Sequence, residues 1–190
     1  MSMMDYIVRP VTPGDADRIA EIYSYYVRET AITFEYDPPT AEETIARIAQ
    51  TTKRYPFLVL EEDGVVQGFT YAGVLKDRAA YDYSCEVTIY LDRHAAGRGY
   101  ARALYEVLEM RLWEMGIVNL YACIGFPSEK DDEYLSRNSA QFHAHMGYMM
   151  VGRFHECGYK FGRWYDVIWM EKIIGQHRED HREAYGYVGG

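Results

Sequence analysis

A carboxylate lies in the middle of an otherwise apolar run, Cys85-Glu86-Val87-Thr88-Ile89-Tyr90. The run is rich in β-branched residues and predicts a strand, whose alternation places Glu86, Thr88 and Tyr90 on one face. Moving a carboxylate into an apolar strand costs free energy unless the group is paired or used in chemistry. Glu86 is therefore a candidate for acid–base chemistry, and pairing with an arginine such as Arg78 is the alternative.

Two glycines, Gly97 and Gly99, directly precede a long helical pattern in the stretch HAAGRGYARALYEVLEMRL. Glycine lets the main chain approach a ligand closely, and the first turn of a helix has unpaired N–H groups and a partial positive charge. This combination predicts a phosphate site. A simple turn is the alternative, because a lone glycine-rich motif is a weak signal.

Spacing decides between the known phosphate loops. A P-loop requires Lys followed by Ser or Thr after its second glycine, and these residues are absent. A dinucleotide fingerprint requires a third small residue where Arg102 stands and an acid at the end of the next strand, where the chain has Ile124-Gly125. The remaining interpretation is a Gly-x-Gly-x-Ala turn around a pyrophosphate, with Arg98 and Arg102 at its edge.

The elements that position these residues follow from periodicity and turn signals. Strands are predicted at 6–11, 57–61, 65–71, 83–91, 118–124, 148–157 and 164–171. Helices are predicted from Pro13 with Thr12 as N-cap, after the capping box at Thr40, after Gly99 and from Asn138 to Met146, whereas 125–137 is predicted to be an exposed loop. The strand, helix and strand around Gly99 predict a parallel βαβ unit.

Composition limits the class of protein. A chain of 190 residues with 48% hydrophobic content fits one globular domain. The net charge of −9 argues against nucleic-acid binding, and no segment has the length of a membrane span. Three widely spaced cysteines predict neither a disulfide framework nor a paired-cysteine metal site, and favour a cytoplasmic protein.

The segment from Ala96 to Ala101 resembles the acetyl-CoA site of the GNAT superfamily, in which Gln or Arg is followed by two residues, Gly, one residue, and Gly or Ala. Ala96 departs from the usual Gln or Arg, which removes a side chain near the phosphates and leaves the backbone N–H groups. Further segments are similar to the phosphinothricin and methionine sulfoximine N-acetyltransferases, at 33–34, 55–59, 78–90, 143–148 and 158–166.

The resemblance implies an α/β GNAT fold, with a mixed, mostly antiparallel central sheet of about seven strands and helices on both faces. It covers nearly the whole chain, so that we expect a domain at 1–174 followed by a polar tail at 175–190. The implied cosubstrate is acetyl-CoA, held by the strand backbone at Ile89, Tyr90 and Leu91, by the glycine turn, and by Asn138 or alternatively Ser136. The implied members of the glycine turn are Ala96, Gly97, Arg98, Gly99, Tyr100, Ala101 and Arg102.

The implied reaction is acetylation of the α-amino group of a small amino acid or analogue. An amine attacks a thioester only when it is deprotonated, and the resemblance assigns the base to Glu86, acting directly or through one water. His143 is a candidate acid or substrate ligand, and the alternative is a histidine that is hydrogen-bonded in a helix packing face. Because His143 and His145 point in different directions on a helix, we expect no metal.

The acceptor's carboxylate is expected at Arg78, with Lys76 nearby, because a guanidinium binds a carboxylate through two parallel hydrogen bonds. An exposed loop charge is the alternative for Arg78. Phe34, Tyr81 and Tyr83 are expected to wall the pocket unless they are core residues. The resemblance further implies a homodimer without nucleic-acid or membrane partners; a protein N-terminal or lysine acetyltransferase and a non-catalytic acyl-CoA sensor are the competing functions.

Overall fold

The chain, described by a computed structural model over residues 6–179, is organised around a single seven-stranded sheet. The strands are β1 (Tyr6–Pro10), β2 (Phe57–Glu62), β3 (Val65–Val74), β4 (Ser84–Leu91), β5 (Asn119–Phe126), β6 (Met149–Lys160) and β7 (Arg163–Ile173). Their order across the sheet is β1-β2-β3-β4-β5-β7-β6. Only the β4–β5 pair is parallel, as the predicted βαβ unit requires, and the other five pairs are antiparallel.

Four α-helices accompany the sheet: α1 (Ala16–Glu29), α2 (Ala41–Thr52), α3 (Tyr100–Glu114) and α4 (Asn138–His145). The predicted capping box opens α2, where Thr40 Oγ1 accepts from the Glu43 amide at 3.1 Å and the Glu43 carboxylate accepts from the Thr40 amide at 2.8 Å. Gly99 is the N-cap of α3 and has a left-handed backbone, with φ of 80°. Helices α2, α3 and α4 therefore begin where their sequence signals stand, whereas the helix predicted from Pro13 opens with a 3₁₀ turn at Pro13–Asp15 and α1 starts at Ala16.

The two faces of the sheet carry separate cores. Helices α1 and α2 cover one face, where Ile19, Ile22 and Ile48 pack on Phe57, Val59 and Phe69. Helix α3 covers the other face, with Leu104, Leu108 and Leu112 among its fully buried residues. The expected α/β fold with helices on both faces is confirmed, and β2 alternates between the two cores, with Leu58 and Leu60 in one and Phe57 and Val59 in the other.

The structure corrects several predicted boundaries. Strand β3 continues three residues beyond Tyr71, and β6 and β7 extend to a tight turn at Phe161-Gly162, whose φ angles of 52° and 75° are those of a two-residue hairpin. The segment 125–137 is not simply an exposed loop, because its first two residues belong to β5 and Leu135 is buried. Of the expected polar tail, 180–190 lies outside the described residues.

Candidate active site

Strands β4 and β5 separate immediately after Glu86. Their parallel pairing joins Ser84 to Asn119, Cys85 to Leu120 and Glu86 to Tyr121, and includes no later pair among residues 6–179. Beyond that point β4 pairs with β3 alone and β5 with β7 alone. The facing edges at 87–91 and 122–126 thus border a wedge, in which backbone groups have no strand partner and are available to an extended ligand.

A cavity of about 260 Å³ occupies this wedge. Its wall combines residues from both faces of the sheet, because the gap between β4 and β5 passes through it. The lining residues are Ile32, Thr33, Phe34, Tyr71, Glu86, Val87, Thr88, Ile89, Tyr90, Tyr105, Ala122, Cys123, Ile124, Gly125, Ser139, His143 and Val167. Five of the expected site residues are therefore assembled at one place, namely Phe34, Glu86, Ile89, Tyr90 and His143.

Glu86 is half-buried on the α1–α2 face of this cavity. Within the described residues its carboxylate makes no hydrogen bond or ion pair, so the alternative of pairing with Arg78 is not observed. Burial raises the pKa of Glu86, and the positive charge of Lys76 partly offsets that rise. A carboxylate with a raised pKa and free oxygens can accept a proton near neutral pH.

His143 lies on the opposite, α3–α4 side of the cavity and is 3% exposed. Its Nδ1 is 2.7 Å from the carbonyl oxygen of Ser139, which only accepts, so Nδ1 carries the proton. Its Nε2 therefore accepts from the hydroxyl of Tyr105, at 2.8 Å. Burial lowers the pKa of His143, and the ring is neutral with its single N–H already engaged. Of this pair, only the Tyr105 hydroxyl can turn its proton from Nε2 towards the cavity.

Tyr105 is the main site residue that sequence reasoning missed. It lies in the third position of a buried row on α3, between Leu104 and Leu108, and its helical spacing is that of a core residue. Only the packing of α4 against α3 brings its hydroxyl to His143. No local sequence signal distinguishes it from its apolar neighbours.

The glycine turn before α3 has the conformation that phosphate binding requires. Gly97 and Gly99 have φ of 77° and 80°, and a Cβ on either would meet no atom within 4 Å, so both face open space. The first hydrogen bond of the helix runs from the Ala103 amide to the Gly99 carbonyl, which leaves the preceding amides of the first turn free. The turn offers bare, outward-facing N–H groups to an anion.

The side chains of this turn are placed differently from the expectation. Arg98 forms an ion pair of 2.6 Å with Glu62, and Arg102 lies 3.8 Å from Glu106. Tyr100 is fully buried with its ring against Tyr6, and offers a ligand only its backbone. Ala96 and Ala101 add no polar side chain. The backbone, rather than the arginines, is therefore the structure's main resource for binding phosphate.

Only some of the other expected cofactor contacts lie on the cavity wall. Ile89 and Tyr90 line the cavity, whereas the carbonyl of Leu91 already accepts from the Tyr26 hydroxyl at 2.6 Å. Asn138 is exposed at the start of α4 and is not on the cavity wall, where Ser139 stands instead. Neither Ser136 nor Asn138, the two residues that the resemblance offers for this contact, lines the cavity, whereas the neighbouring Ser139 does.

Of the expected acceptor residues, the structure brings only Phe34 to the cavity wall. Lys76, Arg78 and Tyr81 are exposed on the segment that connects β3 to β4, and Tyr83 is half-buried at its end. The Arg78 guanidinium makes no ion pair or hydrogen bond within the described residues. These groups stand at the rim beside the strand of Glu86, not around it.

No helix of residues 6–179 is long and apolar enough to cross a membrane. The same residues contain no group of three or more histidine, cysteine, aspartate or glutamate side chains that could hold a metal ion.

A sheet that divides beside a carboxylate, next to a helix opened by bare glycine backbone, defines an N-acetyltransferase fold and site. Residues 8–169 match the family described as an acetyltransferase (GNAT) domain, and the chain belongs to that family. It is 33% identical over 160 residues to the phosphinothricin N-acetyltransferase of Streptomyces viridochromogenes, covering 84% of this chain and 83% of the relative.

Two other comparisons agree. The chain is 27% identical to the L-methionine sulfoximine/L-methionine sulfone acetyltransferase of Salmonella typhimurium, covering 90% of this chain and 95% of the relative. Its structure superposes with a TM-score of 0.83 on a GNAT superfamily phosphinothricin acetyltransferase from Sinorhizobium meliloti in complex with acetyl-CoA. That protein is 29% identical, and the match covers 94% of this chain and 96% of the other.

Proposed function

We propose that this enzyme transfers the acetyl group of acetyl-CoA to the α-amino group of a small amino acid or amino-acid analogue. The names of its relatives support an acceptor of this kind. The observation that carries the proposal is the position of Glu86, an unpaired, half-buried carboxylate at the point where β4 and β5 separate. A base is needed at that point and nowhere else, because an ammonium group must lose its proton before it attacks a thioester.

The proposed reaction is a direct transfer. Glu86 takes a proton from the acceptor's ammonium, directly or through one water, and the free amine nitrogen forms a bond to the acetyl carbonyl carbon. The carbon–sulfur bond then breaks and the coenzyme leaves as a thiolate, which takes up a proton to become the thiol. The backbone N–H of Ile89, on the wedge side of β4, is the proposed donor to the developing oxyanion, because successive N–H groups of a strand point to opposite sides and that of Tyr90 faces β3.

The leaving thiolate is assigned to the α3–α4 side of the cavity. Tyr105 is the proposed proton donor there, and His143 is its positioning partner rather than the acid itself. This assignment rests on the direction of the two hydrogen bonds at His143, which leave the imidazole without a spare N–H. Base and acid then lie on opposite faces of the sheet, with the reacting carbon between them.

Acetyl-CoA is assigned to the wedge and to the glycine turn. The residues present fit it, because the turn from Ala96 to Arg102 offers outward-facing amides and the two glycines leave the space that a pyrophosphate needs. The unpaired edge of β4 would hold the pantetheine arm by main-chain hydrogen bonds. Asn138 or Ser139 at the start of α4 is in position to contact that arm.

The acceptor's carboxylate is assigned to Arg78, with Lys76 beside it. Both stand on the segment that leads into β4 towards Glu86, and Arg78 has no competing partner in the described residues. The influence of Lys76 on the pKa of Glu86 supports a positive rim near the base. Phe34 closes the cavity from one side, and Tyr81 and Tyr83 lie on the same segment as Arg78.

A homodimer in the cytoplasm is part of the proposal. The edge strand β6 exposes Met149, Met150, Val151 and Phe154, which are each more than half exposed. Such an apolar edge is expected to be covered by a partner. All three cysteines are free, which agrees with a reducing compartment.

Thiol release from acetyl-CoA tests the proposal. Purified protein is assayed with the standard amino acids, methionine sulfoximine, phosphinothricin and N-terminal peptides, with Glu86→Gln as the control. We expect turnover with free amino acids or analogues, and its loss in the control. Turnover with peptides alone would favour a protein N-terminal acetyltransferase, and saturable acetyl-CoA binding without turnover would favour a sensor.

A further inference from the structure

A second cavity, of about 450 Å³, lies between the sheet and the helices α1 and α2. This cavity is partly open to solvent, and its volume is in the range typical of small-molecule pockets. Its lining residues are Ile19, Tyr23, Pro39, Thr44, Ala46, Arg47, Ile48, Gln50, Thr51, Phe57, Phe69, Tyr71 and Tyr90.

This α2 cavity adjoins the wedge cavity that contains Glu86. Tyr71 and Tyr90 line both of them. In the β3–β4 register Gly73 is opposite Glu86 and Tyr71 is opposite Thr88, so all four share one face of the sheet. A Cβ built on Gly73 would meet no atom within 4 Å, which leaves the surface beside Glu86 open in the direction of Tyr71.

The floor of the α2 cavity is aromatic. Phe57 stacks on Tyr71 with ring centroids 4.9 Å apart, and Phe69 lies 5.8 Å from Phe57. Ile19 and Ile48 close the sides from the two helices. This surface is suited to an apolar or aromatic group, whose burial removes hydrocarbon from water.

The one charged residue of the lining is already neutralised. Arg47 donates from both terminal nitrogens to the carboxylate of Glu35, at 2.8 and 3.0 Å. Tyr23 donates to the same carboxylate at 3.0 Å. Because the guanidinium is bound in this way, the cavity offers no free charge to a polar ligand, and a charged acceptor side chain would be left unpaired there.

We propose that the α2 cavity is the subsite for the acceptor's side chain, and that the preferred acceptors are amino acids with a long apolar or aromatic side chain. The acceptor's amine is then at Glu86, and its side chain crosses Gly73 and Tyr71 to end beneath α2. This inference rests on the proposed function, since it places the acceptor's amine at Glu86.

Two exposed alanines on α2 provide a matched test. Ala46 lines the α2 cavity, whereas Ala49 lines a different surface depression beside Pro13 and Phe57. Ala46→Phe fills the proposed subsite, and Ala49→Phe adds the same ring to the same helix outside it. Gly73→Val is a second variant, which narrows the passage beside Glu86 without touching α2.

The kcat/KM values are measured for a small series (glycine, alanine, serine) and a large apolar series (leucine, phenylalanine, tryptophan). We expect the unmodified enzyme to favour the large series. Ala46→Phe should lower kcat/KM for that series by at least about 10-fold, while leaving the small series unchanged, since one methylene in a pocket already changes selectivity by that order. Gly73→Val should also lower kcat/KM for the large series more than for the small series. Ala49→Phe should leave kcat/KM unchanged for both series.

Calorimetric binding of phenylalanine separates this inference from the proposed reaction. Turnover of the small series with no preference for the large one, or an equal loss of both series in Ala46→Phe, would overturn the subsite and leave the reaction standing. Absence of turnover with every acceptor would refute the reaction. In that case binding of phenylalanine that is lost in Ala46→Phe still supports the cavity, and binding that is absent or unaffected by the variant rejects it.

Discussion

Phe34 packs directly against the backbone of Gly158, so that a Cβ built on Gly158 would overlap the phenyl ring. Phe34 also lies against Tyr165, the β7 partner of Gly158, with ring centroids 6.5 Å apart. Phe34 thus packs on β6 and β7 while it forms part of the wall of the wedge cavity. The absence of a side chain at position 158 sets how far the ring can lie from the acceptor.

Gly158→Ala is expected to displace Phe34 and to raise the KM of the acceptor several-fold. The KM for acetyl-CoA should change less, because the glycine turn, which is proposed to hold its phosphates, does not include Phe34. Gly152→Ala is the matched control, since Gly152 lies in the same strand and a Cβ there meets no atom within 4 Å. Steady-state kinetics with each substrate varied in turn decide the matter. An unchanged acceptor KM in Gly158→Ala would show that Phe34 does not define the pocket.

Glu86→Gln is expected to lower kcat by about 10²-fold or more at neutral pH, because it removes the general base but keeps the shape of the side chain. In the unmodified enzyme, kcat at saturating substrates should rise with pH as Glu86 loses its proton. The midpoint should lie above the ordinary range of glutamate, since burial raises the pKa of Glu86. That acidic limb should be absent from the variant, while the Kd of acetyl-CoA is unchanged.

A variant that kept both its turnover and its acidic limb would remove Glu86 from the mechanism. The kcat of Tyr105→Phe would then be the informative measurement, because this variant removes the one hydroxyl that is hydrogen-bonded to His143 Nε2 within residues 6–179.

Gly97→Ala and Gly99→Ala should weaken acetyl-CoA binding by about 10-fold, because the added methyl group occupies the open space in which the pyrophosphate is proposed to lie and weakens its hydrogen bonds to the turn. Each substitution forces alanine into a left-handed backbone at a cost of about 1–2 kcal/mol. Gly162→Ala is the control for that strain, because its φ of 75° is similar and it too faces open space, but in the β6–β7 turn. All three variants should lose similar stability in chemical denaturation, and only the first two should lose affinity in calorimetry. Equal affinities would refute the phosphate site.

Arg78→Ala should raise the KM of the amino-acid acceptor by about 10-fold, since a charge-assisted bidentate contact contributes about 1.5–3 kcal/mol. The KM of the corresponding decarboxylated amine should stay the same, because that amine has no carboxylate to lose. Arg28→Ala, at the exposed end of α1, controls for the loss of a surface charge. If both acceptors respond equally to Arg78→Ala, the arginine does not bind the carboxylate.

The fold was accessible from sequence because each element has its own local signal. The capping box at Thr40, the glycines before α3 and the alternation around Glu86 are all properties of neighbouring residues. The wedge is different, since it depends on where β4 stops pairing with β5, and no residue of either strand marks that position. Tyr105 was missed for a related reason: its partner His143 is on another helix, 38 residues away.

Contacts between distant parts of the chain also decide where the arginine side chains of the glycine turn lie. Arg98 was expected at the pyrophosphate because it stands between two glycines, but Glu62 reaches it from the β2–β3 hairpin. Long-range ion pairs of this kind are set by the tertiary arrangement. A motif specifies the backbone of the turn more securely than it specifies the partners of the flexible side chains within it.

His143 should make the stability of the protein depend on pH in a defined window. Burial lowers the pKa of His143 below the value near 6.5 that applies to the unfolded chain, so the unfolded state binds the extra proton first. The free energy of unfolding is therefore unaffected by this group above pH about 6.5, and falls as pH drops below it, by at most about 1.4 kcal/mol per pH unit. Buried carboxylates such as Asp15 and Asp166 have lowered pKa values, and their contributions are lost only below pH about 4.

His145 is the matched control for this prediction. Its Nδ1 donates to the carbonyl of Gln141 at 2.7 Å, as His143 does to Ser139, but the ring is exposed. Urea denaturation at pH 7.5 and 5.5 should show a loss of stability in the unmodified protein and in His145→Gln. The loss should be smaller in His143→Gln, which has no proton to gain. A pH dependence that is the same in all three proteins would mean that the folded and unfolded states take up the His143 proton at the same pH, so that burial does not lower the pKa of His143.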